Sequence, residues 1–321
     1  MDGLLIVDKP SGPTSHDVVF RARRALREKR IGHTGTLDPL ASGVLPLVVG
    51  RATRLARFLS GDKTYITEVR LGQDTDTGDV QGQPCGPVFD GPWPDAGAVD
   101  AALTPFRGTF LQQPPAFSAK KIAGRRSYEL ARKARTGASV DVAEDAREAA
   151  DVPPLPDPVS VTAHAVEVLG VDGPCVRLRV RCSAGFYIRS LAVDLGHALG
   201  TGAHLTMLRR TDAAGFGEDV AIPLETLQSD GGPALAAARM VSMADMLRGM
   251  PTVVLTAAGM DRVRVGRVIG PADSTARPTD AELAAVPVDA PVRLLDPAGT
   301  LVAVATHTAD PGFFHPSVVL V

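Results

Sequence analysis

The amino-acid sequence predicts a mixed α/β fold that is followed by a smaller β-rich unit. Over residues 1–247, short apolar runs of strand type alternate with helical patterns, as where the run 4–7 precedes the helical segment 14–30. In residues 248–321, short β-type runs separated by Gly and Pro turns replace this alternation. We therefore divide the chain into a mixed α/β body, residues 1–247, and a β-rich appendage, residues 248–321.

Each element is predicted from its apolar periodicity and from the residues that begin and end it. The turn at 9–13 ends the first strand, Thr14 or Ser15 can cap the helix that follows, and Gly200 closes the last helix of the body. The β-type or apolar runs are 4–7, 44–49, 65–71, 159–171 and 175–182, and in the appendage 252–255, 292–295, 301–305 and 317–321. The predicted helices are 14–30, 51–59, 96–103, 127–136 and 188–199.

The composition predicts a soluble, cytoplasmic protein. A chain of 321 residues with 45% hydrophobic residues can bury a substantial core. The sequence has no apolar run long enough to span a bilayer, and it begins without the basic start and cleavage site of a signal peptide. Cys85, Cys175 and Cys182 form no CxxC pair, so neither a disulfide framework nor a zinc site is expected.

Charge is segregated along the chain, although the formal net charge is only −2. Segments 21–30 and 120–135 are basic, whereas residues 140–158 are acidic, rich in Ala and Pro, and predicted to form a solvent-exposed excursion. A basic segment is often a solvated helix face. Two such segments favour an anionic polymer as the partner, because one footprint can then contact several phosphates.

The cofactor and metal motifs of the chain are incomplete. Residues 74–79 resemble the start of a calcium loop, but the glycine falls one place early and Cys85 stands where the bidentate Glu should be. The segment Gly200-Thr201-Gly202 lacks the third glycine of a dinucleotide fingerprint. The seven histidines show no HExxH spacing, and no GxSxG marks a serine hydrolase. The sequence therefore predicts neither a cofactor nor a metal site.

The most informative segment is residues 32–46, a loop punctuated by Gly and Pro between apolar runs. Pro39 disfavours the helical region for Asp38 and holds it extended, while Gly35 and Gly43 permit backbone angles or close approaches that other residues resist. Such a loop presents one carboxylate to its surroundings. The same pattern is also that of an Asx-type turn before a proline. The other motifs of the chain favour the first interpretation.

These motifs resemble the TruB family of bacterial tRNA pseudouridine synthases. The resemblance begins with residues 3–15 and with residues 32–43 around Asp38. Further matching motifs follow in the family's order: Lys63-Thr64-Tyr65, 71–79, 113–119, 182–191 and Leu208-Arg209-Arg210-Thr211. The resemblance implies the pseudouridine synthase fold, a mixed and largely antiparallel sheet with flanking helices. It also implies that the C-terminal appendage is a small β-rich module of the PUA type.

The resemblance further implies that the T-loop uridine at position 55 of tRNA is isomerised to pseudouridine without a cofactor. By this resemblance Asp38 is the nucleophile, and Arg189 is the cation that favours its charged form. Tyr65 would stack on the uracil and is the candidate for removing the C5 proton. Tyr187 and Leu208 would line the pocket, although such side chains are more often core residues. If residues 187–189 are locally extended, Tyr187 and Arg189 point to one face. Attack on C6 and attack on C1′ both stay open.

The resemblance also implies the partner, which is the T-arm of tRNA. We expect the protein to be a monomer and to have no membrane partner. The target base must be flipped out of the RNA fold, and His33 is the candidate wedge against the displaced loop. A lone His is also often a surface or capping residue. The candidate contacts with the RNA backbone are Lys9, Arg23, Lys120, Lys121 and Arg125.

One position departs from the family, and two other functions compete with isomerisation. Phe186 stands where many relatives carry a small polar residue, which bears on the hydration of the pocket. The same basic segments would suffice for a non-catalytic tRNA-binding or tRNA-folding chaperone. An acid-dependent hydrolase would need a second carboxylate in a matching motif, and the sequence offers none that convinces.

Overall fold

The structure is a computed structural model, and it describes residues 1–118, 120–122, 125–127, 155–279, 287, 290–308, 310 and 312–321. The predicted helix 127–136, apart from its first residue, lies outside this description. The same holds for residues 140–154 of the predicted acidic excursion.

The described elements alternate as the sequence predicts, with additional short strands. The strands, in chain order, are β1 (Gly3–Lys9), β2 (Ile31–His33), β3 (Ser42–Val49), β4 (Lys63–Leu71), β5 (Asp74–Thr75), β6 (Pro84–Cys85), β7 (Gly108–Gln112), β8 (Lys121–Ile122), β9 (Arg125–Arg126), β10 (Val159–Asp172), β11 (Cys175–Cys182), β12 (Ala203–Ala213), β13 (Phe216–Gly217), β14 (Ile222–Pro223), β15 (Thr252–Leu255), β16 (Ser274–Ala276), β17 (Pro291–Leu295), β18 (Leu301–His307) and β19 (Phe314–Val319). The α-helices are α1 (Ser15–Leu26), α2 (Ala96–Ala102), α3 (Ile188–Ala198), α4 (Leu224–Gln228), α5 (Gly232–Ala238) and α6 (Ala257–Arg264), and 3₁₀-helices cover Gly50–Phe58, Thr104–Phe106, Glu218–Val220, Asp245–Leu247 and Pro271–Asp273.

One large sheet organises the body. Within the described ranges its order is β14-β1-β3-β12-β4-β11-β10-β7, with β2 beside β3 and β13 beside β12. The pairs β1–β14 and β3–β12 are parallel, and the other pairs of this sheet are antiparallel. The predicted mixed, largely antiparallel sheet is thereby confirmed.

Both faces of this sheet are covered near β1. Leu5 and Val7 face a core that includes residues of α1, α3 and α4, whereas Leu4 and Ile6 face a second core on the other side. All four side chains are at most 1% exposed, so the strand reads as a continuous apolar run rather than as an alternation. The second core also receives residues of the 3₁₀-helix Gly50–Phe58 and of β18 and β19. The C-terminal strands therefore pack directly on the body.

Helix α1 begins as predicted and ends earlier than predicted. Thr14 is the N-cap, and a reciprocal capping box joins it to Asp17. The helix ends at Leu26, because Arg27 takes a left-handed backbone conformation with φ of 50°. The prediction of an end at residue 30 was wrong, and residues 27–30 of the basic segment lie beyond the helix.

The longest error in the secondary-structure prediction is β12, an eleven-residue strand at the centre of the sheet that the sequence did not suggest. Buried and less buried residues alternate along part of this strand. One of the buried residues is Arg210, which is 0% exposed. A period-2 apolar pattern is therefore interrupted by a charged residue. Helix α6 was also missed. None of the helices in the described ranges has the length and apolarity that crossing a bilayer requires.

The appendage forms a separate sheet of order β16-β15-β17-β18-β19, with its own core around Val253, Leu294 and Phe314. It is joined to the body by side-chain contacts, among them Arg51 Nη1 donating to the carbonyl of Leu320 at 2.7 Å. The predicted β-rich character is confirmed. The boundary between residues 247 and 248 stays a prediction.

Candidate active site

The loop that carries Asp38 connects β2 to β3 and is fixed at the start of α1. The Ser15 hydroxyl donates to the carbonyl of Leu37 at 2.9 Å and accepts from the Leu37 amide at 2.8 Å. The amide of Gly12 donates to the carbonyl of Pro39 at 2.8 Å. These bonds hold the residues on either side of Asp38, so the position of its carboxylate is set by α1 as well as by the loop.

The carboxylate of Asp38 meets the guanidinium of Arg189. Arg189 Nε donates to Asp38 Oδ2 at 2.9 Å, and the two remaining nitrogens donate to the carbonyls of Thr77 at 2.8 Å and Phe117 at 2.7 Å. The Arg189 side chain is 6% exposed, whereas that of Asp38 is 36% exposed. A buried, immobilised cation therefore faces a carboxylate that solvent and ligands can still reach. The Asx-turn interpretation assigns this carboxylate to its own backbone, whereas its hydrogen bond in the structure goes to Arg189.

A second carboxylate, Asp79, lies beside the same guanidinium and was missed by the sequence analysis. Its Oδ2 is 3.9 Å from Arg189 Nε, and its side chain is 7% exposed. Its Oδ1 accepts from the Thr77 hydroxyl at 2.7 Å and from the Gln81 amide at 3.0 Å. Asp79 belongs to the motif 71–79. Its spacing of two residues from Thr77 is the sequence signal that could have predicted this local hydrogen bond. This carboxylate is occupied by local donors and acts as an anchor for Arg189.

Asp38 and Arg189 open onto a cleft of about 840 Å³. This volume is within the range of small-molecule pockets, so a pyrimidine nucleoside has room beside the carboxylate. The cleft is lined by backbone and side chains of the Asp38 loop, the start of α1, β4, β12 and the segment before α3, including Thr14, His16, Tyr65, Gln81, Phe186, Tyr187 and Leu208.

Tyr65 and Leu208 reach the cleft from neighbouring strands of the sheet. Tyr65 lies on β4 and is 7% exposed, and Leu208 lies on β12 and is also 7% exposed. Burial raises the pKa of the Tyr65 phenol, and the charge of Arg210 opposes this shift. The structure thus brings both predicted residues to one wall of the cleft.

Tyr187 reaches the cleft from the N-cap position of α3. Its backbone is held by Gln112, whose Nε2 donates to the Tyr187 carbonyl at 3.0 Å and whose Oε1 accepts from the Tyr187 amide at 2.8 Å. The extended conformation considered for residues 187–189 was wrong, because Ile188 and Arg189 form the first turn of α3. Both side chains still reach the site, since Arg189 lies on the buried face of the first turn.

Phe186, the departure from the family pattern, lines the cleft at 8% exposure. Its ring stands edge-on to that of Phe110, with 6.0 Å between the centroids. An apolar ring therefore occupies this part of the wall, and it is packed against β7 rather than exposed to solvent.

His33 does not line the cleft. The His33 and His16 rings pack edge to face with 5.4 Å between their centroids. Of these two histidines, His16 is the one that lines the cleft. Burial lowers the pKa of His33. The wedge role of His33 stays a prediction, and its ring would act on an RNA through or beside His16.

The predicted backbone contacts fall into three groups. Lys9 is 0% exposed, and its ammonium donates to the carbonyls of Ala41 at 2.5 Å and Pro10 at 3.0 Å, so its assignment to an RNA phosphate was wrong. Arg23 is exposed on α1, with one nitrogen donating to the carbonyl of Ile31 at 2.7 Å. Lys120 is partly exposed beside the hairpin β8–β9, and the side chains of Lys121 and Arg125 lie outside the described part.

Comparison with known proteins assigns this architecture to one family. The model described as TruB family pseudouridylate synthase, N-terminal domain, matches residues 23–188, and the tRNA pseudouridylate synthase B C-terminal domain matches residues 189–275. The tRNA pseudouridine synthase B of Solibacter usitatus is 40% identical over 321 residues, which is 100% of both chains. That of Synechococcus sp. is 42% identical over 270 residues, 83% of this chain and 85% of the relative. A chain in the crystal structure of a Cbf5-Nop10-Gar1 complex superposes with a TM-score of 0.70 at 26% identity, over 99% of this chain and 85% of that chain. The predicted fold class is thereby confirmed.

Proposed function

The chain belongs to the TruB family of pseudouridylate synthases, and we propose that it isomerises the uridine at position 55 in the T-loop of tRNA to pseudouridine, with Asp38 as the nucleophile. The observation that carries the proposal is the contact between Arg189 Nε and Asp38 Oδ2 at 2.9 Å, at the wall of a cleft large enough for a nucleoside.

The buried guanidinium supplies what a carboxylate nucleophile needs. Because Arg189 is fixed by two carbonyls and flanked by Asp79, it cannot turn away from Asp38 when a ligand enters. A neighbouring positive charge favours the ionised carboxylate, which is the nucleophilic form. The exposed part of Asp38 faces the cleft, where the nucleoside would lie.

The reaction follows as an exchange of bonds at C1′. Asp38 forms a bond to the nucleoside as the N1–C1′ bond breaks with its electron pair passing to the uracil. The uracil turns, C5 bonds to C1′, and the bond to Asp38 is released. Loss of the C5 proton then restores the C5–C6 double bond, and N1 carries a proton in the product. We assign the acceptance of the C5 proton to Tyr65, and the stacking and apolar contacts of the flipped base to Tyr65, Tyr187 and Leu208.

The exposed basic face of α1 is the proposed track for the RNA backbone. Arg21, Arg23 and Arg24 are exposed on this helix, and His16 at its first turn lines the cleft. Phosphate contacts from such a face give affinity that falls with salt and carry little base specificity. The T-arm specificity, the monomeric state and the cytoplasmic location are parts of the same proposal.

The test is release of tritium from tRNA transcripts labelled with tritium at C5 of uridine. We expect one equivalent of tritium per tRNA with the wild type, and none from a transcript with cytidine at position 55. Asp38→Asn should bind the transcript with little change and release no tritium. Asp62→Asn is the matched control, since this carboxylate lies outside the cleft and pairs with His164 and Arg181.

The outcomes separate the competing functions. Wild-type binding of tRNA without tritium release would favour the non-catalytic chaperone. Full activity of Asp38→Asn would remove Asp38 as the nucleophile while leaving the reaction in place. Release from the position-55 variant at the wild-type rate would overturn the proposed site of modification.

A further inference from the structure

Arg210 is a buried arginine that takes part in no step of the reaction described above. Its side chain is among the largest that are fully buried, at 0% exposure. Nε donates to the carbonyl of Val44 at 2.7 Å, and Nη2 donates to the carbonyl of Gly35 at 3.1 Å. Gly35 precedes Asp38 and Val44 follows it. The guanidinium therefore ties together the two ends of the loop that presents the nucleophile.

One nitrogen of this guanidinium is left without a hydrogen bond to the described residues. Nη1 makes no hydrogen bond to any described residue, although it is buried. An unsatisfied buried donor costs about 1–3 kcal/mol, and more when the group is charged. Such a group calls for a specific explanation. The loop closure alone is achieved by Nε and Nη2, so it does not account for Nη1.

The strand register places this free donor on the side of Tyr65. Arg210 of β12 and Tyr65 of β4 are directly opposite in the antiparallel pair, and Leu208 is opposite Thr67. Side chains of directly opposed residues stand on the same face of the sheet with their Cβ atoms about 5 Å apart. The phenol of Tyr65 also reaches the cleft beside Asp38. The guanidinium therefore lies on the same face of the sheet as the phenol, and it is fully buried and does not line the cleft.

The surrounding charges make Arg210 the cation that acts on this phenol. Burial raises the pKa of Tyr65, and the charges of Cys182 on β11 and of Asp38 raise it further when these groups are ionised. Arg210 lowers it by its charge, and Nη1 makes no hydrogen bond to the phenol oxygen in this structure. Lys63, on the same strand as Tyr65, is itself partly buried, and its own pKa is lowered by burial and by Arg210.

We infer that Arg210 is a positioning residue for Tyr65, with Nη1 held in reserve for the phenolate that accepts the C5 proton. This inference rests on the proposed function. In the step concerned, the phenolate oxygen takes the proton from C5, the C5–H electron pair forms the C5–C6 double bond, and the pair of the C6–N1 double bond moves to N1, which takes a proton from solvent. Arg210 does not touch the substrate and transfers no proton.

The first test measures the pKa of the Tyr65 phenol in the absence of RNA. The chain has three tyrosines, so incorporation of 3,5-difluorotyrosine gives few ¹⁹F resonances, and Tyr65→Phe assigns that of Tyr65. Fluorination lowers the phenol pKa into a range that the fold tolerates. We expect Arg210→Met to raise the pKa of fluorinated Tyr65 by at least one unit. Arg209→Met is the matched control, since Arg209 pairs with Asp8 and Glu218 and should leave this pKa unchanged.

The second test measures the reaction. At pH 7.5 the single-turnover rate of tritium release by Arg210→Met should fall at least tenfold, since each unit of pKa lowers the phenolate fraction tenfold, and it should recover as the pH rises. In the Tyr65→Phe background the same substitution should change the rate less than twofold. Arg210→Lys keeps a cation but not the three separate nitrogens of the guanidinium, and its rate should fall between those of the wild type and Arg210→Met.

Several results would overturn the inference. One is a folded Arg210→Met protein with an unchanged Tyr65 pKa. Another is equal rate loss with and without Tyr65, which would assign Arg210 to loop closure alone. If Arg210→Met does not fold, Arg210→Lys takes its place. The inference is then wrong if folded Arg210→Lys releases tritium slowly at every pH while its Tyr65 resonance is unaltered. The ¹⁹F titration needs no substrate, so its failure is distinct from a failure of the wild type to release tritium.

Discussion

Replacing Arg189 by Met should lower the free energy of unfolding much more than replacing Arg181, an exposed arginine of β11. Arg189 makes three hydrogen bonds with a side chain that is 6% exposed, and Asp79 beside it is 7% exposed. In Arg189→Met the buried carboxylate of Asp79 loses its cation, and the carbonyls of Thr77 and Phe117 lose their donors. Breaking a buried ion pair costs about 3–5 kcal/mol.

The exposure of Asp38 moves the expected value toward the lower end of that range. The Asp38 side chain is 36% exposed, so water replaces part of its lost interaction. We therefore expect the free energy of unfolding to fall by about 3 kcal/mol, and by about half as much in Arg189→Lys, which keeps the charge. Arg181→Met is the control. Its pair with Asp62 joins side chains that are 60% and 43% exposed, and such pairs contribute about 0–1 kcal/mol.

Urea unfolding followed by circular dichroism measures the stability of all three variants, and tritium release measures their activity. Arg189→Met should also lose tritium release, whereas Arg181→Met should keep it. The reasoning fails if the two methionine variants lose the same stability. It also fails if Arg189→Met is as active as the wild type, since Asp38 would then not depend on the guanidinium.

Three further predictions concern the support of the site. Gly43→Ala should destabilise the protein by about 3 kcal/mol, because φ is 98° and a Cβ would lie 2.2 Å from the backbone oxygen of Arg210; Gly170→Ala, with open space around it, should change the unfolding midpoint little. Burial lowers the pKa of Lys9 from 10.5 to about 8, so between these values the unfolded chain binds more protons and stability should rise with pH, by at most about 1.4 kcal/mol per unit. Urea titrations from pH 7.5 to 10.5 should show this slope in the wild type and not in Lys9→Met, and parallel curves would contradict it. Asp79→Asn should keep the hydrogen bonds at Oδ1 but lose the negative charge beside Arg189. We expect tritium release to slow about tenfold, because loss of this ion pair should raise the activation free energy by roughly 1.4 kcal/mol. An unaltered rate would show that Asp79 only shapes its loop.

Local sequence signals predicted much of the fold correctly. The strand Cys175–Cys182 and the strand Thr252–Leu255 were predicted with their observed bounds, and Thr14, one of the two predicted caps of α1, is its N-cap. These features depend on alternation over a few residues or on one side chain that satisfies nearby backbone donors. The end of α1 was missed because Arg27, without glycine, takes the left-handed conformation.

Segments distant in sequence were harder to relate to one another. The proposed nucleophile and Arg189 are 151 residues apart, and only the packing of α3 against the Asp38 loop brings them within 2.9 Å. The motif 71–79 suggested a rejected metal loop, whereas Asp79 supports Arg189. The burial of Lys9 could not be predicted from the sequence, since a lysine at the end of a strand is usually exposed.

The sequence by itself determined the alternation of elements, the loop that presents Asp38, and the family resemblance that names Asp38, Tyr65 and Arg189, because turn chemistry and short motifs are properties of neighbouring residues. The tertiary structure alone decided that β12 is a central strand, that Arg210 is buried opposite Tyr65, and that Lys9 is withdrawn from solvent. Burial of a charge depends on which distant backbone carbonyls and side chains surround it, and that is fixed only when the sheet is assembled.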